Sequence, residues 1–190
     1  MAEEGQRRGY KLRTGKVSDP NAGWSVKKNT QGKTTYIFGY KAHLLVDCEY
    51  ELPIAANISA GNILDGTRAS DLLSEARWTY RKFRPKFVIA DTGCSGKPFL
   101  RLIKRQYRAQ PIISVNPTHK KLMAEFRAAM ETPEWKALYG QRQAVEHVNS
   151  RLKDKRALND LTVRRLRKVT VHCYLSLIAM QVQVSVGQCG

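Results

Sequence analysis

The stretch from Lys33 to Asp47 constrains the fold of this chain more than any other. Tyr36, Phe38, Tyr40, Ala42, Leu44 and Val46 alternate with Ile37, Gly39, Lys41, His43, Leu45 and Asp47. A period of two in aromatic and β-branched residues is the pattern of a strand whose two faces meet different surroundings. Cys48-Glu49-Tyr50-Glu51 then turns the chain, and Leu52 to Ser59 (LPIAANIS) reads as a second strand. So short a connection makes the pair an antiparallel hairpin.

Beyond the hairpin, helix and strand alternate. Asn62 to Asp65 ends the hairpin, and Asp65 can cap a helix running through Leu72, Leu73, Ala76 and Trp78 to about Lys82, where Pro85 stops it. Phe87-Val88-Ile89-Ala90 is a short unbroken apolar run, as in a strand covered on both faces. Pro98 to Arg108 reads as a helix with Leu100, Ile103 and Tyr107 inward, Pro111 to Val115 as a strand, and Lys120 to Met130 as another helix. A hairpin leading into alternating strands and helices predicts an α/β fold with a mixed sheet and helices on both faces. Residues 1–32 are polar, basic and Gly-rich, with a turn at Ser18-Asp19-Pro20-Asn21. They read as a loosely held arm ahead of one domain over 33–186.

Net charge narrows the partners. Among 190 residues, 33 Lys and Arg against 16 Asp and Glu give +17, an excess that points to a polyanion, most simply nucleic acid. The four cysteines, Cys48, Cys94, Cys173 and Cys189, include no C-x-x-C pair, which argues against a zinc ribbon or a disulfide framework. MAEEGQRRGYK has no apolar leader core, and Val171 to Val186 carries His172, Gln181 and Gln183 and is too short for a membrane span. That last run reads as a buried helix, and a cytoplasmic, nucleoid-associated protein without a membrane partner is the expectation.

Two places can carry chemistry. Tyr139 to Lys153 (YGQRQAVEHVNSRLK) has no Pro and no Gly after Gly140, and reads as one helix. At about 100° per residue, Tyr139, Arg142, Glu146 and Lys153 fall within roughly 60° of one another on one face. Ala144, Val145, Val148 and Leu152 form an apolar flank. A carboxylate held between an Arg and a Lys suits a metal ligand beside phosphate-holding groups, although a solvated helix face has the same spacing. His147 points roughly 100° away from Glu146, and His43 reads as a packed or solvated histidine. The second place is Asp91, straight after the buried strand and before Thr92-Gly93-Cys94-Ser95-Gly96. There it stands at the carboxyl edge of the sheet, where open α/β folds put their sites; capping the adjoining loop is the plainer alternative.

Taken together, these motifs resemble those of DDE transposases of bacterial insertion sequences, the IS4/IS5-like group. Tyr139, Arg142, Glu146 and Lys153 match the signature around that family's last catalytic Glu, Tyr-x2-Arg-x3-Glu-x6-Lys. Gly39-Tyr40-Lys41-Ala42-His43 with Val46-Asp47 resembles its G-(Y/R)-K-x-H-x-x-x-D strand, and Leu52-Pro53 through Gly61-Asn62 and Asp65 resembles its next segment. Ile89-Ala90-Asp91-Thr92-Gly93 resembles the second catalytic Asp, with Cys94 where the family usually has Tyr. The family's order is kept over roughly residues 33–186.

The resemblance implies an RNase H-like fold and Mg²⁺ (or Mn²⁺)-dependent cleavage and strand transfer on DNA, at transposon ends and target, by a homodimer in the active complex. It implies Asp91 and Glu146 as catalytic metal ligands; Asp47, on one strand face with Lys41 and His43, is a candidate substitute for the first Asp, although it stands at a hairpin turn where Asp is common. Tyr139, Arg142, Lys153, Lys41 and Arg151 would contact DNA, and the basic segments Lys97 to Arg108 and Arg151 to Lys168 would track its backbone. The family's D-(S/G)-T strand has no counterpart in 1–32, and Asp65-Gly66-Thr67 carries its letters at a helix start. The expectation is therefore a C-terminal portion of a transposase lacking its first strand. A DNA-binding remnant without catalysis, or a basic RNA-associated protein, are the rival readings.

Overall fold

The computed structural model describes residues 19–28, 31–156, 158 and 161–187. Strands β1 (Gly23–Lys28), β2 (Thr34–Asp47) and β3 (Leu52–Ala60) form a sheet in that order, and β4 (Phe87–Ala90) pairs in parallel with β5 (Gln110–Ile113). Six helices accompany them among the described residues: α1 (Asp65–Thr79), α2 (Lys97–Leu102), α3 (Lys120–Glu131), α4 (Pro133–Gly140), α5 (Gln143–Arg156) and α6 (Leu166–Gly187). The fold is mixed α/β as expected, but the described strands make two sheets, one of three strands and one of two, rather than a single mixed sheet.

The chain groups into two compact units. The first takes residues up to His43, Ala56–Ile63 and the chain from Leu152, and the second takes Leu44–Ala55 and Leu64–Arg151.

In the first unit, β1 is the main departure from the sequence reading, which assigned no strand before Lys33. It pairs antiparallel with β2, Gly23 opposite Gly39 and Lys28 opposite Thr34. Trp24 lies against Phe38, ring centroids 5.2 Å apart. Glycines allow the backbones to meet: Gly61 donates its N–H to the Gly39 carbonyl at 2.9 Å, and a Cβ at Gly61 would stand 2.5 Å from the Gly23 carbonyl oxygen. That close approach gives the Gly61-Asn62 motif a packing reason. Asp19 is buried and ties the unit together, its Oδ2 accepting from the Tyr40 hydroxyl at 2.6 Å and the Arg165 N–H at 2.7 Å. Ile58, Val169 and Cys173 form the core, with Tyr40 and Leu166 against it.

The C-terminal helix was expected to be buried; α6 is buried on one face only. Val169, Cys173, Leu177 and Met180 are covered, whereas Val171 (53%), Leu175 (61%), Ile178 (53%) and Val182 (56%) are exposed. Their 4-3-4 spacing puts them in one line along the helix.

The second unit holds the larger core: Leu73, Val88, Leu100, Ile103, Ile113, Val115 and Leu122, with Leu45, Phe83 and Phe126 packed around them. β4 and β5 are short and mostly apolar, and α4 is in contact with both strands. The α2 helix continues as a π-turn over Ile103–Tyr107 and stops at Arg108, whose φ of 52° is left-handed. Start and stop of α1 differ slightly from expectation. Leu64 is its N-cap and Asp65 its first residue, while the chain leaves the helix at Tyr80.

Candidate active site

Asp91 emerges where the sequence places it. The parallel pairing of Ile89 with Ile112 and Ala90 with Ile113 leaves Asp91 just past the carboxyl end of β4, on the surface. Its Oδ1 accepts the Thr92 N–H at 2.7 Å, and its carbonyl accepts the Cys94 N–H at 2.9 Å. Asp91 thus also caps the 3₁₀ turn Thr92–Cys94, the plainer role anticipated for it. Capping through one oxygen leaves further lone pairs on the carboxylate for another partner.

The start of α1 rests directly on this turn. A Cβ at Gly66 would lie 2.5 Å from the Gly93 carbonyl oxygen, so only glycine allows the approach. Asp65 consequently comes beside the turn. Burial pushes the Cys94 thiol up to about 11, and the negative charges of Asp65 and Asp91 add to the shift. Sequence reasoning set Asp65 aside as a helix opener; the Gly66 and Gly93 pair was the signal of its closeness to Asp91.

The segment 139–153 is not one helix. The α4 helix ends at Gly140 and α5 starts at Gln143, bridged by tighter three-residue bonds: Gln141 N–H to Leu138 carbonyl, Arg142 to Tyr139, Ala144 to Gln141 and Val145 to Arg142. Tyr139 and Glu146 therefore belong to different helices, and the single-face argument fails at Gly140, where the glycine penalty in a helix interior is about 1 kcal/mol. Side chains restore the connection. Trp135 stacks on Tyr139 (4.7 Å, 15°), the Arg142 guanidinium lies 5.8 Å from the Tyr139 ring centroid, and Arg142 pairs with Glu146 Oε1 at 2.8 Å. Trp135, buried and four residues before Tyr139, was missed; its i, i+4 spacing on α4 was the available signal.

Glu146 sits in the first turn of α5, where the helix dipole favours a carboxylate. Its side chain is 58% exposed. The helix is fixed to the turn after β2 by Glu51, which has a left-handed φ of 50°. Glu51 Oε1 pairs with His147 Nδ1 at 2.7 Å, while Arg151 donates to Oε2 at 3.1 Å and to the Glu51 carbonyl at 2.7 Å. Arg151 therefore braces the hairpin turn, and His147 faces away from any role beside Glu146.

The remaining residues have local partners as well. Asp47 Oδ1 accepts the Glu49 and Tyr50 N–H groups at 3.0 and 2.9 Å, shaping the hairpin turn. Lys41 Nζ donates to the Ile63 carbonyl at 3.0 Å. His43 is buried and bonds Ser59 Oγ through Nε2 at 2.7 Å. Lys153 is exposed on α5.

As oxygen donors, Asp91 and Glu146 suit a hard cation such as Mg²⁺, which takes one or two protein carboxylates and fills its shell with water and phosphate. Among the described residues no group of three or more His, Cys, Asp or Glu is placed to hold a metal ion. No helix among them is long and apolar enough to cross a membrane.

Comparison with known proteins speaks at the level of the family. Neither curated proteins nor solved structures yield a match. The family model described as "Transposase DDE domain" matches residues 6–182, nearly the whole chain and including β1 and the stretch read as an arm. The chain belongs to the transposase DDE domain family.

Proposed function

We propose that this protein acts on DNA in transposition, as IS4/IS5-like transposases do, by divalent-cation-dependent strand cleavage and strand transfer on an RNase H-like framework. The observation that carries the reading is Asp91, exposed at the carboxyl end of the parallel pair β4–β5 inside a family match that also takes in Glu146. Asp91 and Glu146 are the ligands proposed for Mg²⁺ or Mn²⁺, corresponding to the second and third carboxylates of the family triad. The bound cation would stabilise the attacking and leaving oxygens of an in-line displacement.

The chain's own residues do the positioning. Arg142, held by Tyr139 and stacked through it on Trp135, pairs with Glu146, so a guanidinium stands ready for a phosphate next to the carboxylate that needs it. Lys153 extends positive charge along α5. Asp47 and Arg151 support the hairpin turn and the seating of α5 rather than touching substrate.

The test is cleavage of supercoiled plasmid carrying the DNA that flanks this coding sequence, with and without Mg²⁺ or Mn²⁺. Nicking that needs the cation and drops at least about 100-fold in Asp91→Asn and in Glu146→Gln is expected. Activity surviving both substitutions removes the site assignment. Salt-sensitive DNA binding without any cation-dependent cleavage would favour the rival reading of a DNA-binding remnant.

A further inference from the structure

Between α2 and α3 in the second unit lies an open cleft of about 210 Å³, lined by Lys97, Leu100, Arg101, Lys104, Leu122 and Phe126. Two surfaces of opposite character meet there. Leu100 and Leu122 are buried core residues and Phe126 is half-buried, so the floor is apolar and aromatic. Lys97, Arg101 and Lys104 are exposed along the rim. Lys104 Nζ stands 5.1 Å from the centroid of the Phe126 ring, so a face of that ring is reachable from solvent and attracts a cation.

The surroundings sharpen the chemistry. From Thr92 to Met130 the sequence has five lysines and arginines at 97–108 and three at 120–127, against one carboxylate, Glu125. A free carboxylate or cation has no reason to prefer an apolar floor, and a duplex backbone has nothing to put into it. Small-molecule sites usually occupy about 300–1,000 Å³; this cleft is smaller, on the scale of one planar base. An aromatic platform with cations around it is how single-stranded nucleic acid is held without sequence readout.

We infer that this cleft binds an unpaired nucleotide, its base stacked against Phe126 between Leu100 and Leu122 and its phosphates held by Lys97 and Arg101. The entering base takes the place of Lys104 on the ring, and the freed ammonium turns to the phosphate. This deepens the proposed action on DNA by giving a strand opened at the cleavage site a place to hold one base. It does not need the metal, so its test stands apart from that of the carboxylates.

The experiment is fluorescence anisotropy of the full chain, without divalent cation and at one fixed salt concentration. The probes are an oligothymidylate, an all-abasic oligomer of the same length, and a duplex. The thymidylate should bind more tightly than the abasic strand by roughly five- to 150-fold, the range of base–aromatic stacking. Phe126→Leu keeps an apolar floor of similar volume and removes the ring; it should erase that preference while leaving abasic and duplex binding unchanged. Arg101→Gln, on the surface, should weaken all three probes together and lower the salt slope by about one. Should Phe126→Leu fail to fold cooperatively, photocrosslinking of 5-iodouracil DNA to the unmodified protein replaces it, with Phe126 as the expected attachment point. Equal binding of thymidylate and abasic strands, an undiminished preference in folded Phe126→Leu, or crosslinks confined to other segments each overturn the inference. Loss of nicking in Asp91→Asn with the base preference intact leaves it standing.

Discussion

At the scale of single residues, Asp19 and Cys94 show charge set by surroundings in opposite ways. Burial alone would raise the Asp19 carboxyl. The Tyr40 hydroxyl, the Arg165 and Asn21 N–H groups and the charge of Arg164 together outweigh it and hold the group below its ordinary value. Because the folded state favours the charged carboxylate, its contribution is present above the unfolded value near 3.8 and is lost as pH falls through the lowered one. Asp19→Asn should cost about 1–3 kcal/mol in denaturant unfolding at neutral pH, with a gap to the parent that narrows on acidification; a gap independent of pH would contradict this account. Cys94 goes the other way. With its thiol raised to about 11 by burial and then by Asp65 and Asp91, it stays protonated at neutrality. Iodoacetamide should label it slowly at pH 8, with a midpoint near 11 in the rate profile, and a midpoint near the ordinary value of 9.0 would contradict the burial of this thiol.

Among the elements, the contact between α1 and the Asp91 turn is the one most open to a single methyl group. In Gly66→Ala the new Cβ meets backbone, the Gly93 carbonyl oxygen at 2.5 Å, which cannot swing aside as a side chain would. A loss of about 1–3 kcal/mol is expected in thermal or denaturant melts. Gly93→Ala, whose Cβ would meet nothing within 4 Å, should lie within about 0.5 kcal/mol of the parent. Elements of this kind were largely legible in the sequence. The alternation from Tyr36 to Val46, the run Phe87–Ala90 and the helical spacing from Lys120 carry their own signal, so β2, β4 and α3 stand within a residue or two of the reading. β1 escaped because Gly23-Trp24-Ser25-Val26 is too short and polar to reveal a partner, and the partner, β2, decides it. The break at Gly140 was hidden by good helix formers on either side. Asp19 was read as a turn residue since its buried role depends on Arg165, 146 positions away. At the site, the locations of Asp91 and Glu146 came from local pattern. The Trp135–Tyr139–Arg142 ladder was legible only as an i, i+4 spacing on α4, and the Glu51 brace, which joins residues 96 and 100 positions apart, had no local signal.

Over the whole molecule, charge and hydropathy are divided unevenly along the chain. The excess of +17 is carried by segments such as 97–108 and 120–127, whereas from Val169 to the last residue there is no Asp, Glu, Lys or Arg at all. That neutral stretch contains the line of Val171, Leu175, Ile178 and Val182 on α6. Mutual repulsion keeps copies of the free protein apart at low ionic strength, where the screening length is about 30 Å at 0.01 M and about 3 Å at 1 M. Salt that screens the charge of the basic segments therefore also removes what keeps these aliphatic side chains from one another, and excluded salts such as sulfate strengthen their attraction. Turbidity during an ammonium sulfate titration of the nucleic-acid-free protein should rise earlier than in a Leu175→Glu, Ile178→Lys variant of unchanged net charge; coincident curves would mean the stripe plays no part. For anyone preparing this protein, the outer face of α6 makes a high-salt wash and a clear solution competing aims, and sets an upper limit on the salt that serves both.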